Sequence, residues 1–399
     1  VNICILGYDI NPPWVEAVAK LAFELSRQLI REGHSVHIVT SSNSMFPLEE
    51  KIDGVFIHRV PGKALLPYFF ARELKRLHKL YNFDVIHIHN AIMNKPFIIT
   101  LILLRKWLGV PMIGYICILP KISCKEFVRL LSMGGVRQNL SRIAGWFVGT
   151  LAPDFFVKEE LNMVDRVVTS SNYLRKRMVD LGLHESKVET IYPFMDICKF
   201  VKNSNQAGFR KDMMVPEDTP IILFIGSSEP ARIGVFLKAF SIVLKKVPLS
   251  KVVLVSSYSQ HFLNSIEQLG LKHAFVMQPQ NIEINMSGLM AESNVLVYPG
   301  FSGIVSADPP LAVIEAAVLG IPIVATNTGG ISEVGAMIKN CSIVQVFDSK
   351  GMGNALIESL EKEGERHFIS QTWNLFESKV ATQKFISIYR NLVAENPSK

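Results

Sequence analysis

Cysteine is scarce in this chain, and its five copies stand far apart, at positions 4, 117, 124, 198 and 341. No pair has metal-ligand spacing, and an odd, scattered set argues against a disulfide framework and for a reducing compartment. Charged residues are also sparse, at 19%, against 49% hydrophobic residues, which excludes a disordered polyelectrolyte. Long apolar runs are missing. The longest apolar region, Pro96 to Pro120, is interrupted by Arg105 and Lys106. Neither half reaches the roughly 18–20 residues of a spanning helix. The opening Val1–Leu6 reads as a first buried strand with no basic leader before it. There is no internal repeat and no low-complexity segment.

What is present is 399 residues, too many for one ordinary core, with a net charge of +7. Apolar strand-like runs alternate with helical periodicities. Residues 2–6 are followed by Val18, Leu21, Ala22, Leu25 and Leu29 at helical spacing, stopped by Gly33. Strands are then predicted at 36–39, 55–58, 85–88, 112–117 and 166–169. A polar stretch, Lys202–Gln206, separates these from a second series at 221–225, 252–255, 295–298, 321–325 and 343–346. Helices are predicted at 232–247, 311–319 and 350–361. Such alternation predicts an α/β fold of two doubly wound, Rossmann-like parallel sheets. Ligands in such sheets sit beyond the carboxyl ends of the strands, so a cleft between two facing halves is the expected site. The boundaries read as residues 1–192, 193–371 and a terminal helix, 372–399. That helix, Thr372 to Val393, either crosses back onto the first half or ends the second.

The most informative segment runs from Asp308-Pro309-Pro310-Leu311 through Glu315 to Gly320-Ile321-Pro322 and on to Asn327-Thr328-Gly329-Gly330-Ile331-Ser332-Glu333. A prolyl turn opens a helix, Glu315 lies one turn inside it, a buried strand follows, and a Gly-Gly turn begins another helix. Backbone N–H groups at the Gly329-Gly330 turn suit a diphosphate. The Glu315 carboxylate suits sugar or ribose hydroxyls. The bland reading of Glu315 is a residue that caps or pairs on its helix.

This segment resembles the retaining glycosyltransferases of the two-domain GT-B fold, family-4 type. Their hallmark is two glutamates with seven residues between them, followed by a Gly-x-Pro strand and a Gly-Gly turn. Glu315 matches the second glutamate. The first falls at Ala307, with Asp308 beside it. Val164–Ser171 and Val188–Asp196 resemble the end of the family's first domain. Phe224-Ile225-Gly226 resembles the opening of its second. The resemblance implies a donor site formed by Gly226, Ser227, Arg232, Pro310, Leu311, Glu315, Gly329 and Gly330, with Glu315, Arg232 and Asp308 carrying catalysis. In the loop after Gly226 the family has an arginine where this chain has Ser227, while Arg232 keeps the later cationic position. A guanidinium there would bind phosphate oxygens bidentately. Otherwise Arg232 is a solvated cation at the unfavourable end of a helix dipole.

Four residues are candidates on the acceptor side: Asn11, Trp14, Glu16 and Cys117. The first three lie in the loop after the first strand, where relatives often carry two glycines. Trp14 either covers a sugar ring or packs. Cys117 stands where the family has a histidine near the transferred sugar. His87 and His89 share one face of their strand. They are a metal pair without an evident further ligand, or buried structural groups.

From Lys95 to Arg142 there are eight basic residues and one acid, Glu126. Phe127, Leu131, Val136, Leu140, Ile143 and Phe147 recur there at helical spacings. This pattern fits an anionic membrane surface, or a core-facing helix with a solvated basic face. Nucleic acid lacks support, since no recognisable module is present. The expectation is a cytoplasmic hexosyltransferase, peripheral on the membrane face, that needs no metal or cofactor. Its donor would be a UDP- or GDP-sugar and its acceptor a lipid phosphate or glycan. Two alternatives stay open: a sugar-nucleotide-binding protein of the same fold without transferase activity, and a nucleotide-sugar epimerase.

Overall fold

The computed structural model describes residues 1–14, 16–42, 45–61, 66–89, 97–118, 154–206, 208–226, 230–255, 260–277, 285–300, 307–362 and 373–395. Eight strands form the first sheet: β1 (Asn2–Leu6), β2 (Ser35–Ser41), β3 (Glu49–Ile52), β4 (Val55–Val60), β5 (Val85–His89), β6 (Met112–Ile116), β7 (Arg166–Thr169) and β8 (Val188–Thr190). Their order is β3-β4-β2-β1-β5-β6-β7-β8. All neighbours are parallel except β3, which runs antiparallel to β4. The second sheet has β9 (Ile221–Ile225), β10 (Lys251–Val255), β11 (Phe275–Met277), β12 (Val295–Tyr298), β13 (Ile323–Thr326) and β14 (Cys341–Val344). Its order is β11-β10-β9-β12-β13-β14, all parallel.

The strands follow from their near-continuous apolar runs, which parallel sheets need because helices cover both faces. Helix α1 (Ala17–Arg31) buries Leu21, Ala22, Leu25 and Leu29 on one stripe. It ends where expected. Gly33 takes φ +81°, and His34 N–H donates to Leu29 O at 3.0 Å, which closes the last turn in a conformation open to glycine. The elements that position the site are α2 (Leu66–Tyr81), α3 (Phe97–Trp107), α4 (Pro230–Lys246), α5 (Leu311–Val318), α6 (Ile331–Gly335) and α7 (Ser349–Glu361).

The predicted terminal helix is broken. A short helix, Trp373–Phe376, precedes α8 (Ser378–Glu395), and Glu377 between them pairs with Met195. Met195 N–H donates to Phe376 O and Ser378 N–H to Met195 O, both at 2.9 Å. These bonds turn the chain back onto the first half. There α8 buries Phe385, Ile388, Tyr389 and Leu392 in one core with Ile3, Ile5 and Leu25. His87 Nδ1 shares a 2.6 Å hydrogen bond with the Tyr389 hydroxyl. His87 and His89 are therefore buried core groups, and burial holds the pKa of His87 well below its ordinary value and that of His89 at about 3.

Candidate functional site

The two sheets meet at their carboxyl ends. Asp308, beyond β12, donates its N–H to Cys117 O beyond β6 at 2.7 Å, and its carbonyl accepts from Ser170 Oγ beyond β7 at 2.5 Å. Glu333 reaches from α6 to the start of the helix Asn172–Asp180, where it accepts from the N–H groups of Asn172 and Tyr173 at 3.2 and 3.1 Å. The Asn172 amide and the Tyr192 hydroxyl also bind it. An anion capping a helix N-terminus across the seam is favourable electrostatically. Sequence reasoning quoted Glu333 without giving it this role. Its signal was the Gly-Gly-x-x-Glu spacing, which carries the carboxylate one turn past the Gly-Gly turn.

Glu315 is buried on α5, and its carboxylate pairs with the ammonium of Lys20 from α1. Lys20 was not foreseen, because on sequence it is one exposed position of an amphipathic helix. The pair sets a cation of the first half against a buried carboxylate of the second. Pro310 precedes α5 in extended conformation, and Leu311 packs into the second core.

Arg232 lies in the first turn of α4 and is only 2% exposed. Its guanidinium rests over the Tyr298 ring, 4.8 Å from the centroid, with Nη2 3.3 Å from the Tyr298 hydroxyl. Gly226 makes this path possible. It takes φ +134°, and a Cβ there would lie 2.5 Å from Arg232 Nη1. Arg232 is thus a buried cation where β9 and β12 diverge, the point at which such sheets bind ligands. Ser227 lies outside the described residues. A cavity of about 270 Å³ lies at the opposite, amino edge of this sheet, beside Pro322 and Cys341. Its position there makes it a poor donor site.

The Gly329-Gly330 turn has an occupant that the sequence did not indicate. The Asp308 carboxylate sits in it, with Oδ1 accepting from Gly330 N–H at 2.6 Å and Oδ2 3.5 Å from Ser171 Oγ. Gly329 has φ +51°, and a Cβ there would come within 2.4 Å of Asp308 Oδ1. The seat read as a diphosphate site therefore holds an internal carboxyl group. Burial, with a further push from Glu333, raises the Asp308 pKa to about 7, against the pull of the Gly330 N–H and Ser171.

The unfolded carboxyl titrates near 3.9, so the folded state holds the proton more tightly. The stabilisation is complete below about pH 4 and is lost as pH rises through about 7. Asp308→Asn keeps the shape and cannot ionise. The expected outcome is that its melting temperature gains on wild type between about pH 4 and pH 7 and levels off above that. A constant gap across that range would mean that Asp308 titrates normally.

The acceptor-side candidates are mostly engaged in structure. Asn11 Oδ1 accepts from Arg59 Nε at 2.6 Å, and its Nδ2 donates to Ser41 O at 3.1 Å. Trp14 stacks on Phe23, with centroids 3.7 Å apart and planes at 10°, so it packs. Glu16 is exposed at the start of α1 and makes no capping hydrogen bond. Cys117 is fully buried, and burial pushes its thiol up to about 12.

Two parallel-sheet α/β domains joined at their carboxyl edges, with the last helix returned to the first, make the GT-B fold. Residues 18–198 match Glycosyltransferase Family 4, and residues 205–372 match Glycosyl transferases group 1. The chain belongs to this family of GT-B group 1 glycosyltransferases. It is 23% identical to the D-inositol 3-phosphate glycosyltransferase of Nocardioides sp., over 93% of this chain and 84% of that protein. Among solved structures, sucrose-phosphate synthase from Thermosynechococcus elongatus superposes with a TM-score of 0.75 at 16% identity, covering 99% of both chains. Anabaena HepE in complex with UDP and glucose superposes with a TM-score of 0.68 at 13% identity, covering 97% of this chain and 99% of that one.

Proposed function

We propose that this glycosyltransferase moves a hexose from a UDP- or GDP-sugar to its acceptor with retention and without a metal. The observation that carries the reading is the pair of buried, opposite charges at the carboxyl edge of the second sheet. Arg232 is set at the strand switch point and Glu315 at the start of α5. Arg232 would hold the diphosphate and offset charge on the departing nucleotide, and Glu315 would accept from donor hydroxyls. HepE, of the same fold, binds UDP and glucose, which supports a uridine donor. Retention rests on the family resemblance. Metal independence likewise comes from the resemblance and is part of the proposal. A thermal-shift screen of nucleotide sugars tests the donor, because a ligand that binds the folded state raises its melting temperature. No shift with any UDP- or GDP-sugar would remove this reading. A sugar-nucleotide-binding role without transfer is favoured by one observation, Asp308 in the Gly-Gly turn, and would show as binding without turnover.

We further propose a lipid-phosphate acceptor presented at an anionic membrane. Among the described residues no helix is long and apolar enough to cross a bilayer. Support comes from α3, where exposed Ile99, Ile102 and Lys106 share one face. Beside them Tyr68 meets Trp107, and Lys75 lies 4.9 Å over the Trp107 ring. Arg105 is not part of this face, because its guanidinium binds Asp165 Oδ1 at 2.6 Å. Most of the basic stretch read from the sequence, residues 119–142, lies outside the described residues. Vesicle co-sedimentation is expected to show binding to anionic but not neutral lipid, weakened by salt. Equal binding to both, or none, would favour an acceptor in solution.

A further inference from the structure

A polar cluster at the outer edge of the first sheet takes no part in the donor cleft. Because β3 runs antiparallel to β4, Glu49 stands directly opposite His58. Helix α2 covers this face and brings Glu73 to the same point. His58 Nδ1 and one carboxylate oxygen from each glutamate all lie within 4.8 Å of one another. His58 is 5% exposed, and its Nδ1 faces Glu49 Oε1 at 3.5 Å, longer than a well-formed hydrogen bond. We propose that Glu49, His58 and Glu73 bind a divalent ion of the zinc type, which pins the edge strand β3 to α2.

The proton arrangement supports this. His58 Nε2 and His37 Nδ1 are 3.0 Å apart, and His37 Nε2 lies 3.4 Å from Ser35 Oγ. A proton on His58 Nε2 can be donated to His37 Nδ1, and His37 then keeps its own proton on Nε2, toward Ser35. That tautomer satisfies the chain of rings and leaves His58 Nδ1 as a bare lone pair aimed at two carboxylates. A ligating histidine usually donates its other ring N–H in this way.

The spacing also suits the ion. Tetrahedral coordination with ligands at about 2.0–2.2 Å places ligand atoms roughly 3.3–3.6 Å apart. The imidazole–Glu49 separation of 3.5 Å falls in that range, and the other pairs, within 4.8 Å, reach it by small side-chain rotations. One histidine and two carboxylates leave a fourth position for water.

Arg76 is the competing cation. Its Nη2 donates to Glu49 Oε1 at 2.8 Å and to Glu73 Oε1 at 2.6 Å. With its side chain 48% exposed, it can leave for solvent without a buried charge being stranded. Metal and guanidinium then neutralise the same carboxylates in turn.

The test uses the full chain, stripped with chelator and titrated with Co²⁺ as a coloured stand-in for Zn²⁺. The expected result is one equivalent of bound Co²⁺ with a tetrahedral visible band, displaced by Zn²⁺, and a higher melting temperature with Zn²⁺. Glu73→Gln, on the partly exposed side, should fold and weaken binding by roughly tenfold or more. His58→Ala should abolish the band. Arg76→Gln should tighten binding by roughly five- to tenfold, by removing a half-exposed competitor. No visible band, a band unchanged in both ligand variants, or an affinity not improved in Arg76→Gln would each overturn the proposal.

Discussion

Glu315→Ala is expected to cut sugar transfer by roughly 10²–10³-fold, the scale of a lost polar contact to the reacting region. Stability should fall far less. The carboxylate's observed partner is Lys20, whose side chain is 39% exposed and can be solvated when the pair is broken. Such a pair contributes about 1 kcal/mol or less. Lys20→Ala separates the two roles. If Glu315 acts only as an interdomain tether, Lys20→Ala and Glu315→Ala should have equal effects on turnover, and the double variant should match either one. If Glu315 binds the donor, Lys20→Ala should be mild and Glu315→Ala severe in both backgrounds. A folded Glu315→Ala variant with wild-type turnover would make Glu315 structural.

Arg232→Ala is the second large effect. Loss of a charged hydrogen bond to phosphate is expected to weaken nucleoside diphosphate binding by about 1.5–3 kcal/mol, or roughly 10- to 150-fold. The guanidinium is also packed, lying on Tyr298 and filling the space that Gly226 leaves open. Arg232→Lys keeps the charge, loses the planar fork, and should recover only part of the affinity. Calorimetry with UDP and GDP reads this directly. An unchanged affinity for whichever nucleotide binds would take Arg232 out of the site.

The architecture was legible because parallel strands buried on both faces must be apolar, as at Ile221–Ile225 and Val295–Tyr298. The strands that escaped notice are short or polar. β3 reads Glu-Glu-Lys-Ile and lies on the sheet edge, where charge is tolerated. The break at Glu377 was hidden because its cause is Met195, far away in sequence. The same holds for the site. Glu315 and Arg232 could be read from local motifs, but their neighbours could not. Lys20 meets Glu315 across the seam, and Asp308 turns into the Gly-Gly turn rather than toward an open cleft. Trp14 left two readings open, and one face of its ring stacks on Phe23. The Lys20–Glu315 pairing spans 295 positions and depends on how two domains dock, which periodicity does not encode; Asp308 and Gly330 are only 22 apart, but a loop's path is not set by periodicity either.

The central claim is transfer from a nucleotide sugar by way of Arg232 and Glu315. Its most direct measurement is proton NMR of the purified chain with UDP- and GDP-hexoses, following the nucleoside diphosphate and the anomeric signal of the released or transferred sugar. The account predicts turnover of one donor with the anomeric configuration kept, unaffected by chelator and lost in Glu315→Ala. Release with inverted configuration, or the same turnover in wild type and Glu315→Ala, would contradict it.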